Sequence, residues 1–279
     1  MFVNAVEKVG GYTRPIFTIA RRYDSIDVLP GASNLFFIND EGWALTTRAT
    51  ARLIIKSGKI EENYSKFRAD RKARENDENF QDELRLLETK YGMGGKSFAQ
   101  LKVNFFDCVD NLTGFECKLS KNHELAAIHM MGYNNLTYVG HAVFAEDARR
   151  AMPGKYLCRL GYPFPEFRNY SYDPEKDDIV WTDAGHRFTS RFPADGMLTR
   201  LMADGRGKVF GIEMSGTFVP GLNGAPVFDE NAIVYGMQFA AGNGGLTQCL
   251  HASLIKEFLK AEHIPFFVGD ADGGEKLIY

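Results

Sequence analysis

The chain has 279 residues, 44% apolar and 25% charged, the balance of a folded globular protein rather than a disordered one. Lys and Arg number 33 against 36 Asp and Glu, so a net charge of −3 supplies no global pull towards nucleic acid. No apolar run approaches the ~18–20 residues of a membrane helix, and Met1 to Ala20, with Glu7, Lys8 and Arg14, has no apolar core of a secretory signal.

At ~150 residues per domain the length fits two domains, placed at 1–150 and 151–279. Residues 12–55 read as strands. Ile16-Phe17-Thr18-Ile19 is a short β-prone run, and Ser33 to Ile38 is another. Asn39-Asp40-Glu41-Gly42 is a hairpin turn, with Gly42 suited to positive φ, and Trp43-Ala44-Leu45-Thr46-Thr47 is the return strand. Residues 56–92 differ, being rich in charges of both signs. Ile60, Tyr64 and Phe67, then Phe80, Leu84, Leu87 and Tyr91, recur with helical spacing. Two amphipathic helices inserted between strands are expected, ended by Met93-Gly94-Gly95.

Strand signals return at 99–106, 125–130, 156–160, 208–214, 225–228 and 233–239, with a short helix at 145–152. Residues 162–200, with four Pro, read as loop-rich, 252–261 as a C-terminal helix, and the polar tail 269–279 as loose. Cys108, Cys117, Cys158 and Cys249 show neither metal-ligand spacing nor a disulfide framework. Free thiols in a reducing, cytoplasmic compartment are expected, where the N-x-S/T matches at Asn63, Asn111, Asn135 and Asn169 are chance. No phosphate-binding loop, dinucleotide fingerprint or His-Glu-x-x-His motif is present, so no cofactor and no metal are implied.

The most informative stretch is Gly221-Leu222-Asn223-Gly224-Ala225-Pro226, followed by a strand, a turn and Ile233-Val234-Tyr235-Gly236. It resembles the nucleophile segment of trypsin-like serine proteases, Gly-x-Ser-Gly-Gly-Pro. Two further segments share the resemblance in the family's order. Leu45-Thr46 and the three residues after them are similar to a Leu-Thr-x-x-His motif, with Ala49 on the His position. Glu124-Leu125-Ala126-Ala127-Ile128 is similar to the strand that carries the orienting acid, with Glu124 on the Asp position. Tyr156 to Pro163 is similar to the strand that opens the family's second barrel. The resemblance spans about 15–50 and 96–262, apart from the 162–200 loop. It implies an all-β fold of two six-stranded antiparallel barrels, with a helical insertion at about 56–92 and a C-terminal helix.

All three triad positions differ from the family. Asn223 stands for the nucleophilic Ser, and a carboxamide cannot attack an acyl group as a hydroxyl can. Ala49 supplies no base, and Glu124 has no ring to orient. The resemblance therefore implies a catalytically inactive homologue that acts as a protein- or peptide-binding scaffold. The alternatives are an active endopeptidase with a misassigned or mutated triad, and a purely structural double barrel. Gly221 and Asn223 fall on the family's oxyanion loop. Thr217 falls at the base of the specificity pocket, uncharged, and Phe239, Ala240 and Ala241 fall on the strand that pairs with substrate. The helical insertion is a second candidate contact surface. Its small basic cluster, Arg71, Lys72 and Arg74, is too small to imply nucleic acid, and no membrane partner is expected.

Overall fold

A computed structural model describes residues 2–270 and 274–279. Helix α1 (Val3–Tyr12) leads into β1 (Thr13–Arg22), β2 (Val28–Phe37) and β3 (Trp43–Thr46). Helices α2 (Arg48–Ala73) and α3 (Phe80–Tyr91) follow, then β4 (Phe98–Phe105), β5 (Gly114–Leu119) and β6 (Ala126–Met131). These six strands form one antiparallel sheet in the order β4-β1-β2-β3-β6-β5. The sheet curls until its outer strands face each other, with Phe105 and Phe115 edge to face at 5.5 Å. Among the described residues no ladder joins β4 to β5. The half-barrel stays unclosed because the first turns of α2 lie along that seam. Ile54 is buried, and with Ser57, Leu101, Phe105 and Phe115 it lines a groove of about 500 Å³. A helix laid over open strand edges shields groups that would otherwise pair with another chain.

The second half begins with β7 (Val143–Ala145), β8 (Tyr156–Gly161), β9 (Tyr170–Asp173), β10 (Asp178–Trp181), β11 (Phe192–Ala203) and β12 (Val209–Met214). It continues with β13 (Pro226–Phe228), β14 (Ile233–Ala241), β15 (Thr247–His251), α4 (Ala252–Ala261), β16 (Phe266–Gly269) and β17 (Lys276–Ile278). Strands β8, β11, β12, β15, β14 and β13 pair in that order, and β13 pairs back to β14 and to β8, so a six-stranded antiparallel barrel closes. Strands β7, β16 and β17 extend the sheet from β14. Strand β7 precedes residue 150 in the chain yet pairs with the second sheet. One apolar core runs through both halves: Phe36, Phe37 and Leu45 pack in the same cluster as Phe144, Phe228 and Leu250. The molecule is therefore mostly β, with one closed barrel, one half-barrel and a few helices.

Several sequence expectations shift. The insertion starts at Arg48, not near 56, because Thr47 caps α2, its side chain accepting from Thr50 N at 3.2 Å. The stretch 162–200 is less loop-rich than expected, containing β9, β10 and most of β11. Pro193 argues against a strand, but it sits where β11 has only β8 as a neighbour, since pairing with β12 begins at Leu198. The tail is not loose throughout: β17 pairs with β16, Leu277 opposite Phe267, while 271–273 lie outside the described residues. Helix α1 was not among the expected elements, and it holds Gly10 and Gly11, residues of low helix propensity. Both are close-approach sites, a Cβ at Gly10 falling on Arg191 and one at Gly11 on the Val139 carbonyl. The expected helix at 145–152 is a single 3₁₀ turn, Ala148–Arg150.

The insertion turns its apolar face onto the chain itself. Tyr64, Phe67 and Leu87 are buried with Ala99 in one cluster, joined by Tyr23, Leu84, Tyr91 and Met93. It also holds the β9–β10 hairpin through Asp177. That carboxylate accepts from Arg21 Nη2 at 2.8 Å, Arg71 Nη2 at 2.9 Å, Tyr64 Oη at 2.7 Å and Tyr172 Oη at 2.8 Å. Burial opposes ionisation of Asp177, but the two hydroxyls and the arginines outweigh it and hold the carboxyl below the usual carboxylate range. Two members of the small basic cluster are thereby engaged internally, Arg71 with Asp177 and Arg74 with Glu83.

Candidate functional site

The register of β3 against β6 brings the first two triad-like positions together. Thr46 pairs with Ala126, so the residue two steps beyond β3 faces the residue two steps before β6. Arg48 accordingly meets Glu124, its Nε and Nη2 donating to Oε1 at 3.1 and 2.9 Å. The other carboxylate oxygen accepts from the Ala49 N–H at 3.2 Å. Glu124 thus serves the N-terminus of α2, where a negative charge meets free N–H groups and the positive end of the helix dipole. Ala49 is exposed on the first turn of that helix.

The third position is joined to the first sheet through Asn34 of β2, which is fully buried. Its Nδ2 donates to Gly221 O at 2.6 Å and to Asn223 O at 3.2 Å, and its Oδ1 accepts from Tyr162 N at 2.6 Å. The Asn34 carbonyl accepts from Thr46 Oγ1 at 2.7 Å. Gly224 has φ +87°, and a Cβ there would stand 2.4 Å from the Asn34 carbonyl oxygen and 3.0 Å from Thr46 Oγ1. Only glycine fits that dihedral and that approach. Positions 49 and 124 are therefore in direct contact, while 223 is tied to Asn34, whose carbonyl accepts from Thr46 at the end of β3.

The glycine loop itself is turned inward. Pro220–Leu222 forms a 3₁₀ turn, and the Asn223 N–H donates to Pro220 O at 3.2 Å. That N–H is not directed at an incoming ligand. Gly221 lies against Pro163, whose carbonyl oxygen a Cβ would meet at 2.2 Å. The Asn223 carboxamide oxygen accepts from Gln238 Nε2 at 3.3 Å, and the same Nε2 donates to Val219 O at 2.8 Å.

His123 adjoins Glu124, and its ring stacks on Phe210 at 6.3 Å. His129 stacks on Trp43, His141 stacks on Phe267 and meets Glu275, and His251 caps α4. All four cysteines are free. Burial pushes the Cys158 thiol up to about 11 and the Cys249 thiol up to about 12, so neither is a thiolate nucleophile near neutral pH. Among the described residues no group of three His, Cys, Asp or Glu is placed to hold a metal.

Phe239, Ala240 and Ala241 close β14. Ala240 pairs with Gln248 and Ala241 with Thr247 on β15. On the side away from β15, β13 reaches only to Met237, so among the described residues no strand pairs with 239–241 there. Thr217 is exposed. The charged group nearby is one that sequence reading missed, Arg159 of β8, which is 1% exposed. Its Nε donates to Ala194 O at 3.2 Å, and its Nη1 donates to Gln238 Oε1 at 3.0 Å and Thr247 Oγ1 at 2.7 Å. Burial, which penalises the charged form, pulls its pKa down. The available signal was a single Arg inside the apolar run Tyr156-Leu157-Cys158-Arg159-Leu160.

A scan against protein-family models finds no match, and a search of curated proteins finds none either. No helix among the described residues is long and apolar enough to cross a membrane.

Proposed function

We propose that this chain is a non-catalytic, degenerate relative of the trypsin-like serine proteases that binds an extended segment of a protein partner along the 239–241 edge of β14. The observation that carries the reading is that open edge, lying beside a glycine loop whose N–H is turned onto Pro220. An unpaired edge offers main-chain donors and acceptors to an incoming strand. The three triad-like positions support inactivity, because each has a structural task. Ala49 and Glu124 belong to the start of α2, and Asn223 binds Asn34 and Gln238. Neither a hydroxyl nucleophile nor a general base stands among them.

The insertion is a weaker candidate surface, since its apolar face packs on Ala99 and its arginines hold Asp177. Two assays on the full chain test the proposal. A broad fluorophosphonate probe is expected to leave the protein unlabelled. A fluorescein-labelled pool of random hexapeptides is expected to gain anisotropy without being cleaved. Labelling of a serine, or turnover of the pool, would replace the binding reading with an active hydrolase.

A further inference from the structure

Arg159 is buried, yet among the described residues no carboxylate lies within 4 Å of it, and its hydrogen bonds go to neutral oxygens of Ala194, Gln238 and Thr247. A buried guanidinium is costly unless an anion compensates it, and a carboxylate is its best-matched partner. Two features place this charge under the proposed peptide edge. Gln238, which it contacts, immediately precedes Phe239 on β14. Gly216, exposed and at φ +96°, covers its Nη2: a Cβ there would stand 3.5 Å from that nitrogen. The lid over the guanidinium is therefore an exposed residue without a side chain.

We infer that Arg159 forms a carboxylate subsite of the cleft, so that the segment bound along 239–241 presents an Asp or Glu side chain, or a chain-terminal carboxylate, beneath Gly216. The incoming carboxylate takes the place of the Gln238 amide on Nη1, and Gln238 keeps its bonds to Val219 O and Asn223 Oδ1 on the cleft wall. The inference rests on the peptide-binding reading and adds the chemistry of the bound residue.

The test uses the full chain and amidated, fluorescein-labelled hexapeptide pools with the fourth position fixed as Glu, Asp, Gln, Lys or Leu. A sixth pool, fixed as Leu, has a free C-terminus. The Glu or Asp pool is expected to bind about tenfold more tightly than the Gln pool, the size of one charge-assisted contact. A gain confined to the free-terminus pool supports a chain-end carboxylate instead of a side chain. Gln238→Glu supplies an internal carboxylate to Arg159, so it is expected to raise Tm and abolish the acidic preference. Arg159→Met must abolish it too, which covers the case in which Gln238→Glu does not fold. Equal binding of all six pools overturns the subsite and leaves the peptide reading standing. An acidic preference that survives in the folded variants also overturns it. Binding of no pool overturns both.

Discussion

Arg21 and Arg159 are both almost fully buried, and they are compensated in opposite ways. Arg21 donates to the Asp177 carboxylate, the Tyr64 hydroxyl and the Gln100 amide oxygen, so its charge is answered within the chain. Arg159 donates only to neutral oxygens, with the Asp195 carboxylate acting on it without a hydrogen bond. The first arrangement is a structural tie that fastens β1 and α2 to the β9–β10 hairpin. The second leaves a buried guanidinium without a hydrogen-bonded anion. Burial of a cation does not by itself mark a functional group. The identity of its partners separates the two cases.

The largest expected effect comes from breaking the answered pair. Asp177→Ala leaves Arg21 buried and unpaired and should cost about 3–5 kcal/mol in urea unfolding. A loss below about 1 kcal/mol would mean that the tie is weak. The same carboxylate sets a pH dependence. Its pKa is lowered in the folded state, so the stability it contributes is fully present above the unfolded value of about 4 and is lost as pH falls through the lower folded value. The stability gap between the wild type and Asp177→Asn should therefore shrink below about pH 4, and a gap constant down to pH 2 would contradict the assignment.

Arg159→Met sharpens the comparison from the other side. It strands no carboxylate, only neutral acceptors, and should cost no more than about 1–2 kcal/mol in the same assay. A loss matching that of Asp177→Ala would make the two regions equivalent. The smallest effect is expected at the start of α2. Glu124→Gln weakens a half-exposed pair with Arg48 and a favourable charge at the helix N-terminus, for about 0.5–1 kcal/mol.

The sequence was most legible where a local pattern and the tertiary structure agree. The hairpin turn at Gly42 takes φ +81°, and α4 spans the expected Ala252–Ala261. Helical spacing identified the buried face of the insertion, Tyr64, Phe67 and Leu87, but not its start. The dense charges that signal the helices begin near 56, whereas the cap is an uncharged Thr47 nine residues earlier. Pairing partners decide β11 and β17, and no local pattern reports them. The site was legible in part. Register brings 49 and 124 into contact, and 223 bonds to Asn34, but Asn34 and Arg159 were missed. Arg159 is a lone charge in an apolar strand and Asn34 directly follows Ser33 in β2, and only the neighbour each meets across the sheets reveals its task.

The central claim is that the end of β14 receives a partner strand. Amide hydrogen exchange, followed residue by residue with and without the hexapeptide pools, tests it most directly. The account predicts slowed exchange confined to 239–241 and the adjoining turn, with the peptides recovered intact. Unchanged exchange there while the peptides are bound, or protection centred on 48–91, would contradict it.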